Sequence, residues 1–196
     1  MNMNWRALLI CLSLLQPLSS HALEIEGTRF DASVKAGDAT LQLNGAGVRS
    51  KFIIKVYTIG LYLSTPSDSD TAALTAAGPK RIDIVPLMDF SADQFTEPLV
   101  KGMKKNLPAA EFESMRPRID AFVADLQALK EVRKGARIVL EWRPGRGTLA
   151  LVDGKEVSKP VDGEDFFRGL MAIWIGQKPT QDDLKQRLLS GRAHGT

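Results

Sequence analysis

Leu43-Asn44-Gly45-Ala46-Gly47-Val48-Arg49-Ser50-Lys51-Phe52-Ile53-Ile54-Lys55-Val56-Tyr57-Thr58-Ile59-Gly60-Leu61-Tyr62-Leu63 is the stretch whose reading sets the fold. Residues 48–63 are rich in Phe, Ile, Val and Tyr, which suit a half-buried pleated surface, and read as the longest extended segment of the chain. The glycine pair before it is not a dinucleotide loop, because that fingerprint needs a third glycine and a following helix, and here a β-rich run follows. Strict alternation puts Arg49, Lys51, Ile53, Lys55 and Tyr57 on one face and Phe52, Ile54, Val56, Thr58, Gly60 and Tyr62 on the other. A bulge, for which Gly60 is a natural place, would exchange the faces beyond it. An arginine and a phenol on one sheet face can hold a carboxylate or an enolate-like oxygen. On spacing alone the plainer reading of Arg49 is an edge or surface charge, and of Tyr57 and Tyr62 half-buried packing with a wet hydroxyl.

On the N-terminal side, residues 40–43 read as a short strand ending at Asn44-Gly45-Ala46-Gly47, and residues 24–30 as another. On the C-terminal side, a polar loop at 64–70 leads to a short helix at 71–77, ended by Gly78-Pro79, and to a strand at 81–87. Ser91-Ala92-Asp93-Gln94 has the form of a capping box, and Phe95, Leu99 and Met103 recur every four residues behind it. Pro98 implies that this helix is kinked or begins near Glu97. Phe112, Met115, Ile119, Phe122, Leu126 and Leu129 make one apolar helical stripe, bent at Pro117. Strands at 137–142 and 148–152 follow, then an Asp153-Gly154 hairpin. Two closing helices carry Phe166, Phe167, Leu170, Met171 and Trp174, then, from Thr180, Leu184, Leu188 and Leu189. The reading is one α+β domain with a largely antiparallel sheet and helices mainly on one face.

Residues 1–22 read as a cleaved signal peptide. Arg6 gives a positive start, Ala7 to Leu15 an apolar run too short to span a bilayer, and Ser20-His21-Ala22 a small-x-small cleavage site. The domain then covers 23–190, with a flexible tail at 191–196, and the expected location is the periplasm or the exterior. Cleavage removes the only cysteine, Cys11, and one of two histidines, His21, while His194 lies in the tail. A body without Cys or His offers no disulfide, no Cys-His or Ser-His-Asp triad and no zinc site of the usual type. The remaining 25 basic and 23 acidic side chains give a net charge of +2. Lys101, Lys104 and Lys105, and Arg133, Lys134 and Arg137, read as solvated clusters rather than a nucleic-acid surface. Asp68 and Asp70 read as a solvated loop, and no metal site is expected.

The motif from Leu43 to Arg49, continued by 55–63, resembles the start of the chalcone isomerase-like family. Asp165-Phe166-Phe167, Ile173-Trp174-Ile175-Gly176, Pro179 and Leu184 to Leu189 resemble its bacterial exported branch. The resemblance implies an open-faced sandwich, a large antiparallel sheet covered by a helical layer, with a ligand cleft between them. It lends Arg49 the role of anion anchor, with Tyr57 as first and Tyr62 as second choice of phenol, and Phe95, Leu99 and Met103 as apolar lining. It also implies that flavonoid isomerisation is lost, since Phe95 and Gly102 stand where the plant enzymes carry a tyrosine and an asparagine. The leading expectation is a non-catalytic, exported binding protein for a small amphipathic or apolar ligand such as a fatty acid. The alternatives are an isomerase or lyase using Arg49 and a tyrosine, and an envelope partner-binding or structural protein whose cleft has closed. No cofactor is expected; haem would need Tyr or Met as its axial ligand.

Overall fold

The computed structural model describes residues 22–190; the expected signal peptide, up to its last residue, and the tail at 191–196 lie outside the described residues. Leu23–Ile25 (β1) and Thr28–Phe30 (β2) pair as a small hairpin, so the strand expected at 24–30 turns back at Glu26-Gly27. Ser33–Ala36 (β3), Ala39–Lys51 (β4), Ile54–Leu63 (β5) and Lys80–Pro86 (β6) then pair in succession, with the short helix Asp70–Thr75 (α1) between the last two.

Two expectations about this region are corrected. Residues 48–63 are not one strand: β4 and β5 form a hairpin whose two-residue loop is Phe52-Ile53. No Asn, Gly or Pro marks the reversal, and apolar side chains at a turn look like strand. Nor does a strand end at Asn44-Gly45-Ala46-Gly47, because β4 runs straight through it with a bulge at Asn44. The Asn44 carboxamide is the reason that bulge holds. Its Nδ2 donates to the carbonyls of Leu188 (2.7 Å) and Ser67 (2.9 Å), and its Oδ1 accepts from the Ser67 amide. The β5–β6 register, in contrast, runs unbroken through Gly60.

After β6 come Phe90–Ser91 (β7), the helices Ala92–Asn106 (α2) and Ala109–Gln127 (α3), and Glu131–Val132 (β8), which pairs with β7. The capping box forms, with Ser91 Oγ accepting from the Gln94 amide and Gln94 Oε1 from the Ser91 amide, so α2 starts there and carries Pro98 inside. Ile138–Arg143 (β9), Gly147–Val152 (β10) and Lys155–Glu156 (β11) complete a seven-stranded antiparallel sheet of order β11-β10-β9-β6-β5-β4-β3. Glu164–Ile175 (α4) and Asp182–Leu188 (α5) close the chain.

α4 is apolar nearly all round, which is the signature of a helix buried on every side. It turns Met171, Trp174 and Ile175 toward Ile59, Leu61 and Ile82 of the sheet. On its opposite side Gly169 and Ile173 meet α2, where a Cβ on Gly102 would lie 2.8 Å from Ile173 Cγ2. The helical layer is therefore two deep, with α4 inside and α2 and α3 outside. α5 lies so close to β4 that a Cβ on Gly45 would sit 2.1 Å from the Arg187 carbonyl oxygen. None of the helices among the described residues is long and apolar enough to cross a membrane.

The sheet's other face is covered in part by the β1–β2 hairpin, whose Phe30 packs with Leu41, Leu43 and Tyr62 of the sheet. A charged network lies on this side. Asp83 accepts from Arg81 (2.5 and 3.1 Å) and Arg137 (2.8 Å), and Glu141 pairs with Arg81 and Arg143.

Candidate functional site

Arg49 and Tyr57 are direct cross-strand partners on β4 and β5. A two-residue loop at Phe52-Ile53 alone would set Arg49 opposite Val56. The register shift just before Ser50 adds one residue to β5, so Tyr57 and not Val56 faces the arginine. That face is the helical one, because Trp174 of α4 donates its Nε1–H to the Tyr57 hydroxyl at 2.8 Å. Gln181, the residue before α5, adds the third wall. Its Oε1 accepts from Arg49 Nη1 (3.1 Å) and from the Ser50 amide (2.9 Å), while its Nε2 donates to the Val48 carbonyl (3.4 Å).

Arg49 is half-buried and spends one guanidinium nitrogen on neutral acceptors, the Ser50 carbonyl and Gln181. The other half-buried arginines among the described residues, Arg81, Arg118, Arg137, Arg143 and Arg168, each pair with a carboxylate. Arg49 alone among them has no acidic partner. Burying a cation without a counter-charge is unfavourable, so such an arginine has the electrostatics of an anion site.

Burial pushes the Tyr57 phenol up to about 12, against smaller lowering effects from the Trp174 hydrogen bond and the Arg49 charge. At neutral pH it is therefore a protonated hydrogen-bond donor and not a base. With Trp174 already donating to the oxygen, the Tyr57 proton is unclaimed among the described residues. Tyr62, the other tyrosine of the chain, is also raised, chiefly by burial and then by Asp83. A folded phenol above its unfolded value of about 10 stabilises the fold fully below that pH and loses the contribution as pH rises through the folded value. At about pH 11 the native protein will accordingly show little tyrosinate in its ultraviolet difference spectrum, and further alkali will bring ionisation together with unfolding. A half-ionised native spectrum near pH 10 would contradict this environment for the phenols.

Beneath this polar mouth runs an apolar seam between β5, β6 and α4, with a cavity of about 10 Å³ lined by Ile59, Leu61, Ile82, Met171, Trp174, Ile175 and Leu188. That is room for about one water molecule.

The remaining expected residues are placed elsewhere. Tyr62 lies on the opposite face from Arg49 and Tyr57, and its hydroxyl has no partner among the described residues. Phe95 stacks on Phe90 (5.9 Å, 6° between planes), while Leu99 and Met103 are buried in the helical core; none of the three borders the seam. Gln181 is a contributor that sequence reasoning did not single out, and Trp174, read there as part of an apolar closing helix, is a second. Asp70 is not part of a solvated loop but opens α1, where Lys185 holds it at 2.7 Å and, with the Thr71 amide, keeps its carboxyl below the usual range. No cluster of three or more potential metal ligands occurs among the described residues.

A family described as chalcone isomerase-like matches residues 22–190. The chain belongs to this family. The match covers the whole described fold, helices and sheet together. No curated protein matches the chain. Among solved structures, it is similar to the crystal structure of an Arabidopsis thaliana fatty-acid binding protein, at 17% identity and a TM-score of 0.68. That likeness covers 88% of this chain and 98% of the plant one. At that identity it shows a shared architecture, the open-faced antiparallel sheet under a helical layer that the family implies.

Proposed function

We propose that this protein is a non-catalytic binding protein for a small amphipathic or apolar acid such as a fatty acid, exported by the leader at residues 1–22. The observation that carries the reading is the half-buried Arg49, without a carboxylate partner among the described residues, facing Tyr57, whose hydroxyl proton is unclaimed among them. Arg49 anchors the acid group, the Tyr57 O–H adds a donor, and the chain of the ligand follows the seam under Trp174. The fatty-acid binding activity named for the plant structure supports this ligand class. The seam as it stands admits no acyl chain, so binding requires Met171 and Trp174 to move aside. A flexible thioether and a helix that contacts the sheet through side chains alone make that displacement feasible.

The test is titration of the purified protein with a long-chain acid and with its methyl ester, with and without Arg49→Ala. A lost charge-assisted hydrogen bond is worth about 1.5–3 kcal/mol, so acid affinity should fall roughly tenfold to a hundredfold while the ester changes little. Equal losses for acid and ester would remove Arg49 as the anchor.

The narrowness of the seam favours a second reading, a partner-binding or structural role with a permanently closed cleft. It predicts no thermal shift with fatty acids, phenolics or haem, and a stable complex with another envelope protein.

A further inference from the structure

The far end of the β4–β5 hairpin carries features that neither the core nor the acid site uses. Phe52, Ile53 and Ile54 are 93%, 97% and 55% exposed. Single exposed apolar side chains are common, but three in succession at the tip of a hairpin are not. Phe52 is also left-handed, at φ 56°, where two-residue hairpin loops normally place glycine or asparagine. The tip thus departs from both solubility and turn chemistry at the same residues.

Its surroundings are cationic. Lys51 and Lys55 flank the tip; Lys55 reaches Glu26 at 2.8 Å, and Lys51 has no acidic partner among the described residues. At the same end the loop after β6, tied to β5 by the Leu87 amide on the Val56 carbonyl, exposes Met88 beside Lys134, whose amide is held by Asp89. The three tip side chains offer on the order of 400 Å² of surface, far short of the roughly 1,200–2,000 Å² of a stable protein interface. A bilayer asks for no such complementary area. It takes an apolar tip into its interfacial region and leaves long cationic side chains at headgroup level.

We propose that this hairpin tip is a membrane-docking finger, inserting Phe52, Ile53 and Ile54 into the interface of an anionic phospholipid leaflet with Lys51 and Lys55 among the headgroups. Docking would set the Arg49–Tyr57 mouth a few residues above the leaflet, but it rests on the tip alone and is separable from the acid site.

The experiment is co-sedimentation of the full chain after leader removal with vesicles of mixed phosphatidylcholine and phosphatidylglycerol, and with phosphatidylcholine alone. The wild type should bind the anionic vesicles, and the Phe52→Ser, Ile53→Ser double variant about a hundredfold more weakly, from roughly tenfold per buried apolar side chain. Lys51→Ala should cost about fivefold on anionic vesicles and little on neutral ones. Phe52→Gly should also bind more weakly, while its thermal midpoint equals or exceeds that of the wild type because glycine suits the left-handed position, so the loss cannot be ascribed to unfolding. An Ile53→Trp reporter should shift its emission to the blue on anionic vesicles and be quenched by brominated lipid. Absence of vesicle binding, binding undiminished in the double variant, or a tip-dependent dimer without vesicle binding would each overturn the proposal. Failure of fatty-acid titration without vesicles would count against the acid site and leave the finger standing.

Discussion

Trp174→Ala will destabilise the ligand-free protein by about 3–5 kcal/mol, and a long-chain fatty acid will restore much of that loss. The indole is buried, closes the seam against Ile59 and Leu61, and supplies the hydrogen bond to Tyr57. Its removal joins a void of indole size to the existing 10 Å³ and leaves the Tyr57 oxygen without its donor. An apolar void of that kind stays dry and takes up hydrocarbon. A ligand at a hundred times its dissociation constant contributes about 2.7 kcal/mol, enough to recover more than half of the deficit. Urea unfolding midpoints with and without the acid, and with an alcohol of the same chain length, measure both effects. A variant that is destabilised but indifferent to the acid would show that the seam is packing and not a ligand path.

Asp83→Ala will destabilise by a similar amount, about 3–5 kcal/mol, without touching ligand affinity. Asp83 is 1% exposed and accepts hydrogen bonds from Arg81 and Arg137, on the face of the sheet away from the helices. Without the carboxylate, two partly buried guanidinium groups face each other, and Arg81 keeps only long contacts, to the Lys35 carbonyl (3.3 Å) and to Glu141 (3.4 Å). The comparison is Asp120→Ala, which breaks an exposed pair to Arg116 one helical turn away and should change stability by about 0.5 kcal/mol or less. Equal midpoints for the two variants in urea would mean that the buried network's attraction is cancelled by its desolvation.

Local signals carried much of the architecture. The capping box at Ser91 and the Asp153-Gly154 hairpin are written within a few residues and form as read; the stripe from Phe112 forms as far as Leu126, while Leu129 lies past the end of α3. The turn at Phe52-Ile53 was not legible, because its residues have strand chemistry and no turn chemistry. The pairing of Arg49 with Tyr57 was reached by alternation along a strand that does not exist as such. The two face each other because the bulge at Val56 corrects the hairpin register, a one-residue detail that no periodicity reveals. Gln181 stands 132 residues from Arg49, and only the packing of α5 on β4 brings it there. The helix residues Phe95, Leu99 and Met103 have the right period for a lining. Periodicity gives the face of a helix but not the layer it packs against, and α4 stands between them and the sheet.

The order in which the chain is made adds a last consequence. Arg49 and Tyr57 come from its first third, whereas Trp174, Gln181 and the carbonyl of Leu188 that holds the Asn44 bulge come from its final segment. A nascent chain can assemble the sheet before its last helix emerges, but the arginine then faces water with no wall opposite it. The wall opposite the arginine thus arrives only when α5 locks onto Gly45 and Gly47 of β4. The cluster of Arg49, Tyr57, Trp174 and Gln181 is whole only in a chain synthesised at least as far as α5.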